Sequence, residues 1–372
     1  MKLAILGIRD IPGGETVTAG SDTFAYELGQ RLVAKGWEVT AFAQGQSKTI
    51  QAKGITYEYI PTISSVGFNT FIHTFKCLFK VIKGKFDIVH IHNSGNSFII
   101  PILILFGIRS AVMVDGKDWT RDKWKWYAKL YLWLTRKLAY LVADRILFDN
   151  VFVMEEAENE NKRIKRKSLF IPYGSDYTFG DEGKELLPKF GLTEGDYYMF
   201  VGRFVPEKGL QYLIQANNEL DLKRSIVLIG GDIGHFKWED QLKAMNKKDN
   251  LVFTGPLYNE EMRTLMKYAF AYIQPSEVEG LSPVLLTAGG KGLPIIASDI
   301  RENKFIGEDN MRYFKTMDYK DLKARIEEFE NAPKEELDQL GAACRENILS
   351  RFSWEEVTNQ HDDIFRELIG KN

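Results

Sequence analysis

Two doubly wound α/β domains are the fold class this sequence predicts, and three observations carry it. The chain has 372 residues, more than one hydrophobic core usually serves. Strand-length apolar runs alternate with segments of helical period. The alternation stops at a polar stretch and then begins again. Strands that are apolar along their length and separated by helices belong to parallel sheets covered on both faces.

The first series runs KLAILGI (2–8), EVTAFAQ (38–44), ITYEYIP (55–61), FDIVHIH (86–92), SAVMVDG (110–116), DRILFDN (144–150) and SLFIPYG (168–174). A linker rich in Gly, Asp, Glu and Lys falls near residues 172–190. The second series is YYMFVGRF (197–204), SIVLIGG (225–231), NLVFTG (250–255), AYIQPS (271–276) and PIIASD (294–299), with helical segments such as 209–220 and 259–269 between them. The expected domains are 1–172 and 173–354. A cleft between them, lined by the carboxyl ends of both sets of strands, is where such sheets take ligands. The tail, FSWEEVTNQHDDIFRELI, carries Phe352, Val357, Ile364, Phe365, Leu368 and Ile369 at helical spacing and reads by itself as one more surface helix.

Hydrophobic content of 44% with 27% charged residues is that of a soluble globular protein. A formal net charge of −2 argues against nucleic acid as a partner bound through bulk electrostatics. Cys77 and Cys344 follow no metal-ligand or redox spacing, which fits a reducing compartment. The opening MKLAILGIRDIPGG has only a short apolar run, closer to a buried first strand than to a signal peptide. The longest apolar stretch, SFIIPILILFGI (97–108), is too short to span a bilayer and contains Pro101. These features lead to the expectation of a cytoplasmic protein without a transmembrane helix.

Five motifs carry chemistry. In ILGIRDIPGGETVTAGSDTFAYELGQRL a strand leads through Gly13, Gly14 and Gly20 into a helix opening at Ser21 or Asp22. Glycines let backbone N–H groups approach a ligand, and a helix N-terminus suits a phosphate or a hydroxyl. The spacing is not G-x-G-x-x-G, so the dinucleotide fingerprint is absent. A plain strand-to-helix loop, with Asp22 as a cap, fits equally. In FDIVHIHNSGN, His90 and His92 share one face of a strand. No further ligand nearby completes a zinc set. His90 reads as structural, whereas His92, where the strand ends, is placed either to pack or to bind a substrate hydroxyl.

In FVGRFVPEKGLQYLI, Arg203 follows a strand and Lys208 stands at the threshold of a helix. Arg can chelate two phosphate oxygens and Lys adds a point charge, so together they suit a diphosphate; the alternative is a solvated loop. In PSEVEGLSPVLL, Glu279 precedes Gly280, Leu281 and Ser282 at the start of an apolar helix. Backbone N–H groups there suit phosphates, and the carboxylate can accept from sugar hydroxyls. Glu277 and Glu279 read alternatively as two exposed loop carboxylates.

The fifth motif, DGKDWTRDKWKWYAKLYLWLTRKL, holds four of the seven tryptophans. Trp126, Leu130, Trp133, Leu134 and Leu138 form one stripe, with Lys125, Lys129 and Arg136 as a basic ridge beside it. Such a helix over residues 119–137 either lies on an anionic membrane surface or packs into a core with its charged side solvated.

Taken in order, AGSDTF, DIVHIH, ADRILFDN, IPYGSD, VGRFVPEKG, PSEVEGLSPVLL, GLPIIASD and FSWEEV resemble the GT-B glycosyltransferases of family 4, which are retaining and use nucleotide-sugar donors. VDGKDWTRDKW and IPYGSD look most like the bacterial rhamnosyltransferase-like branch that builds cell-surface polysaccharide. The resemblance implies that Arg203 and Lys208 hold the donor diphosphate and that Glu279 binds hydroxyls of the transferred sugar. It implies further that Gly280, Leu281 and Ser282 offer backbone donors to the phosphates, that His92 meets the donor sugar, and that Gly20 lies near the phosphates or acceptor. The last helix, 355–372, would cross back onto the N-terminal, acceptor-side domain. No cofactor or metal is implied, because cations and helix-terminal N–H groups stabilise the departing diphosphate. The implied partners are the nucleotide-sugar donor and a carbohydrate or lipid-linked acceptor at a membrane's inner face.

The sequence departs from this pattern in places. Thr287 stands where the family's second Glu holds the ribose hydroxyls, and a Thr hydroxyl lacks the charge-assisted pair of a carboxylate. AGGKG replaces a bulkier segment, GGETVT is extra, and Asp22 stands where Glu is common. Two other readings therefore accompany the transferase: a nucleotide-sugar epimerase on the same architecture, and a non-catalytic nucleotide-sugar binding subunit.

Overall fold

The computed structural model describes residues 1–12, 20–62, 68–114, 125–175, 183–232 and 237–370. The chain divides into two compact units: Met1–Tyr173 with Trp354–Asn372, and Gly174–Ser353.

Unit 1 contains β1 (Lys2–Leu6), α1 (Gly20–Ala34), β2 (Glu38–Gln44), β3 (Lys48–Ala52), β4 (Ile55–Ile60), α2 (Phe68–Gly84) and β5 (Ile88–His92). It continues with α3 (Ile100–Leu105), β6 (Arg109–Val114), α4 (Trp126–Val142), β7 (Arg145–Phe148), α5 (Val151–Glu160) and β8 (Ser168–Phe170). The sheet order is β3-β4-β2-β1-β5-β6-β7-β8. All pairs are parallel except β3 with β4. The central strand β1 sets the register, with Ala4 beside Thr40 on one side and Val89 on the other. Leu3, Ala4, Ile5 and Leu6 are all fully buried, as a strand covered on both faces requires. The edge strand β3, KTIQA, is polar and largely exposed. It carries no apolar run, so the sequence pattern did not reveal it, and its Lys48 and Gln51 suit an unprotected edge.

The last helix, α13 (Trp354–Leu368), belongs to unit 1. Trp354, Val357 and Phe365 are buried, and Asp362 Oδ1 accepts from Trp37 Nε1 at 2.7 Å and from Arg366 Nε at 2.7 Å. Its apolar pattern is thus a packing face rather than that of an isolated surface helix.

Helix α4 overturns the core-helix reading of its apolar stripe. Trp126 is 76% exposed, and Tyr127, Leu130, Trp133, Leu134 and Leu141 are exposed with it. The buried side is instead Thr135, Arg136, Ala139 and Tyr140. Arg136 is 3% exposed and pairs with Glu160 at 3.1 Å, while Tyr131 Oη donates to Gly95 O at 2.7 Å. These polar anchors fix the helix with its aromatic side turned outward. No helix among the described residues is long and apolar enough to cross a membrane.

Unit 2 contains β9 (Tyr197–Val201), α6 (Leu210–Glu219), β10 (Ser225–Ile229), α7 (Trp238–Met245), β11 (Leu251–Gly255), α8 (Asn259–Lys267) and β12 (Ala271–Gln274). Then come α9 (Pro283–Lys291), β13 (Ile295–Ser298), α10 (Arg301–Gly307), β14 (Arg312–Phe314), α11 (Tyr319–Asn331) and α12 (Lys334–Arg351). Its sheet, ordered β11-β10-β9-β12-β13-β14, is parallel throughout. Helix α9 starts because Ser282 Oγ accepts from Leu285 N at 3.3 Å and Pro283 takes the first turn; it stops at Gly292 with φ 92°.

Candidate active site

In each unit the strand order reverses once, between β1 and β5 in unit 1 and between β9 and β12 in unit 2. Such switch points leave a crevice at the carboxyl ends of the two strands. In unit 2 that crevice gathers the residues singled out from the sequence. Arg203 follows β9, and a 3-10 turn, Pro206–Lys208, leads through Gly209 into α6. Gly209 has φ 71°, and a Cβ there would lie 1.9 Å from Pro275 O. Only glycine allows this approach, and it brings Lys208 against the loop that follows β12.

Lys208 Nζ donates to Glu279 Oε1 at 2.6 Å and to Oε2 at 2.7 Å. Glu279 Oε1 also accepts from Gln274 Nε2 at 2.5 Å and from Ser276 Oγ at 2.6 Å. The side chains of Lys208 and Glu279 are 16% and 7% exposed, so the pair is held in a poorly solvated place. A second layer orients it. Burial and the nearby Glu279 carboxylate push the Tyr272 phenol far above its ordinary pKa, so it stays protonated. It therefore donates to Gln274 Oε1 at 2.7 Å, which leaves the Gln274 amide nitrogen facing Glu279. Ser298 Oγ donates to Ser276 O at 2.5 Å, and Asn303 Nδ2 donates to Ser298 Oγ at 3.0 Å. Glu277 turns the other way, accepting from Gln211 Nε2 at 3.1 Å and from Tyr212 Oη at 2.8 Å, and its own N–H donates to Glu207 O at 2.9 Å. It joins the loop to α6, so the two carboxylates are not an exposed pair.

Arg203 is exposed and makes no hydrogen bond or ion pair with the described residues. Gly280 is half-buried beside the start of α9, while Leu281 and Ser282 are buried and the Ser282 hydroxyl serves as the helix cap. Thr287 is 4% exposed, and its hydroxyl donates to Pro283 O at 2.8 Å. Its proton is thus committed to the helix, leaving only oxygen lone pairs for a ligand. The AGGKG departure has a packing reason. A Cβ at Gly289 would lie 2.2 Å from Ile348 Cδ1, and one at Gly290 would lie 2.2 Å from Ser175 Oγ. Small residues let α12 and the chain at Ser175 press against α9.

Unit 1 packs its histidines, which for His92 is one of the two readings the strand end left open. The His92 ring is 1% exposed, lies 4.5 Å from the His90 ring and 5.7 Å from that of Phe24, and neither ring nitrogen has a partner. Burial and the proximity of His361 lower it to about 3, so the ring is neutral. Both its nitrogens are buried, and Phe24 of α1 packs edge-on against the ring, while His361 of α13 lies against the neighbouring His90 ring at 5.4 Å. What the switch point of unit 1 does carry is a tight backbone site. Gly7 has φ 90° where a Cβ would lie 2.1 Å from His92 O. Asn96 Nδ2 donates to that same oxygen at 2.8 Å. Asp22 is buried and accepts from Arg9 N at 2.6 Å rather than standing free at the helix start. Gly20, the first residue of α1, is exposed; Gly13 and Gly14 lie outside the described residues.

Gln274, Ser276, Tyr272, Ser298 and Asn303 escaped the sequence reading. The signal available was the polar QPSE ending an otherwise apolar strand.

Residues 18–174 match the model of Glycosyltransferase Family 4, and residues 184–347 match that of Glycosyl transferases group 1. The chain is a glycosyltransferase, built as two Rossmann-like units in the GT-B manner. The two matches together cover most of the chain. A galactosyltransferase of Escherichia coli, UDP-Gal:alpha-D-GlcNAc-diphosphoundecaprenol alpha-1,3-galactosyltransferase, is 25% identical over 320 residues, covering 78% of each chain. Among solved structures, sucrose-phosphate synthase from Thermosynechococcus elongatus superposes with a TM-score of 0.82 at 19% identity, covering 99% of each chain. Anabaena HepE in complex with UDP and glucose follows at a TM-score of 0.80 and 14% identity, covering 99% of this chain and 100% of that one. These relatives give no support to the epimerase or to the non-catalytic binder.

Proposed function

We propose that this glycosyltransferase takes a hexosyl or deoxyhexosyl group from a nucleotide-diphosphate donor and passes it, with retention, to a carbohydrate or lipid-linked acceptor in cell-surface polysaccharide assembly. The observation that carries the reading is the Lys208–Glu279 pair beside exposed Arg203 at the β9/β12 switch point. A diphosphate arriving there would draw Lys208 and Arg203 onto its oxygens and release Glu279 to accept from sugar hydroxyls. As the bond to the sugar breaks, negative charge grows on the leaving phosphate. The two cations and the N–H groups at the start of α9, around Gly280, Leu281 and Ser282, would meet it where water is scarce. No metal is needed in this scheme.

Two relatives named for UDP or a UDP-sugar favour a uridine donor. Thr287 would accept one ribose hydroxyl while keeping its own proton on Pro283. Gly20 remains a candidate for contact with phosphate or acceptor. His92 is left out, because its ring is buried. The rhamnosyltransferase-like branch rests on the motifs VDGKDWTRDKW and IPYGSD, of which residues 115–124 and 176 are outside the described set. Work at the inner face of a membrane, with contact through the described part of segment 119–137, belongs to the same reading.

The test is a panel of nucleotide sugars, followed by release of free nucleotide and by the anomeric configuration of the product. Turnover that vanishes in Arg203→Ala and in Glu279→Ala, with an α-donor giving an α-linked product, is expected. Tight donor binding without turnover across a broad acceptor set overturns transfer, and a β-linked product overturns retention.

A further inference from the structure

We infer that α2, α3 and α4 together form a face that seats on an anionic lipid bilayer. This rests on the membrane contact proposed above and extends it from one helix to three. Twelve of the fourteen exposed large apolar side chains among the described residues lie on these helices or at the end of α3. Helix α2 shows Phe71, Phe75 and Phe79 at i, i+4 and i+8, which is one face of a helix. The end of α3 shows Ile104, Leu105 and Phe106, with Leu105 83% exposed. Helix α4 adds the outward stripe described above. Phe71 of α2 stacks at 4.5 Å on Phe98, in the turn that leads into α3, and meets the Tyr131 ring of α4 at 6.5 Å. A patch of this extent on a soluble domain marks an interaction surface.

Charge identifies what covers it. Helices α2 and α4 carry Lys76, Lys80, Lys83, Lys129 and Lys137, besides the buried Arg136, and no Asp or Glu, and α3 has no charged residue, although the whole chain is slightly acidic. Glu58 and Glu160, from neighbouring elements, pair with Lys80, Arg136 and Lys137. Lys83 and Lys125 are exposed and have no ion-pair partner among the described residues. The corner next to Leu141 adds Lys162, Arg163, Lys165 and Arg166, reached through Lys167 Nζ, which donates to Leu141 O at 3.2 Å. A second copy of the chain would bring two carboxylate-free basic helix layers face to face. An anionic headgroup layer over acyl chains answers both the cations and the aromatic rings.

The experiment is co-sedimentation of the full chain with phosphatidylcholine vesicles, with and without phosphatidylglycerol. Binding that needs phosphatidylglycerol and weakens with salt is expected. Phe75→Ser with Phe79→Ser, and separately Leu105→Ser with Phe106→Ser, should each lower it at least fivefold. Lys83→Gln and Lys125→Gln should each lower it about fivefold. Met317→Ser, an exposed apolar side chain in unit 2, should change nothing. If the α2 and α3 variants bind like wild type, the three-helix face is overturned. Wild-type dimerisation abolished by Phe75→Ser with Phe79→Ser, without vesicle binding, makes a second copy the occupant and also overturns it. Donor hydrolysis measured without vesicles separates the two proposals. Intact turnover with no vesicle binding sinks the surface alone, and vesicle binding without turnover sinks the transfer reading alone.

Discussion

The Lys208–Glu279 pair should behave as one energetic unit, and a double-mutant cycle measures that. At separations of 2.6 and 2.7 Å the gross attraction is about 6 kcal/mol at an effective dielectric of about 20. Desolvation of two groups that are 16% and 7% exposed takes back several kcal/mol. Lys208→Met leaves Glu279 with only Gln274 and Ser276 as donors, and should cost about 2–3 kcal/mol. Glu279→Gln keeps the volume and one acceptor and should cost about 1–2 kcal/mol. The double variant should be more stable than the sum by about 1.5–3 kcal/mol, because the second change removes a charge the first has already stranded. A chain of two units does not unfold as one transition, so the assay is native-state hydrogen exchange of the β12 and α9 amides. Additivity within about 0.5 kcal/mol would refute the pair as a coupled element.

Other outcomes follow from the same geometry. Gly290→Ala drives a Cβ to 2.2 Å from Ser175 Oγ and should destabilise unit 2 by about 1–3 kcal/mol, read as a lower melting temperature by calorimetry. Tyr272→Phe deprives Gln274 Oε1 of its donor, so donor affinity should fall severalfold with little change in the overall fold; unchanged affinity would show that Gln274 holds its orientation unaided. Thr287→Val keeps the shape and removes the oxygen, so UDP should bind a few-fold more weakly if ribose is held there, and equally if it is not. His90, His92 and His361 are buried and neutral, with His92 at about 3 and His361 at about 4. Below about pH 6.5 the unfolded chain takes up protons that the folded one refuses. Unit 1 should therefore keep its stability above that pH and lose it as pH falls toward 4. The urea midpoint read by tryptophan fluorescence reports this, since six of the seven tryptophans lie in unit 1. The slope should become shallower in His361→Leu.

The sequence by itself determined the two parallel-sheet units, because continuous apolar runs between helical segments have few other ways to bury themselves. It singled out Lys208 and Glu279, seventy-one residues apart, through motif resemblance. Periodicity missed β3 and β14: the first is a polar edge, and the second, Arg312–Phe314, is too short to show alternation. Periodicity also gave α4 a stripe without saying which side meets the core. That was decided by Arg136 reaching Glu160 and Tyr131 reaching Gly95, contacts made by residues distant in the chain. The strand end left His92 open to packing or binding, and the ring is buried between His90 and Phe24. A strand or a helix specifies its own faces, whereas what covers each face is chosen by packing among elements that local pattern cannot connect.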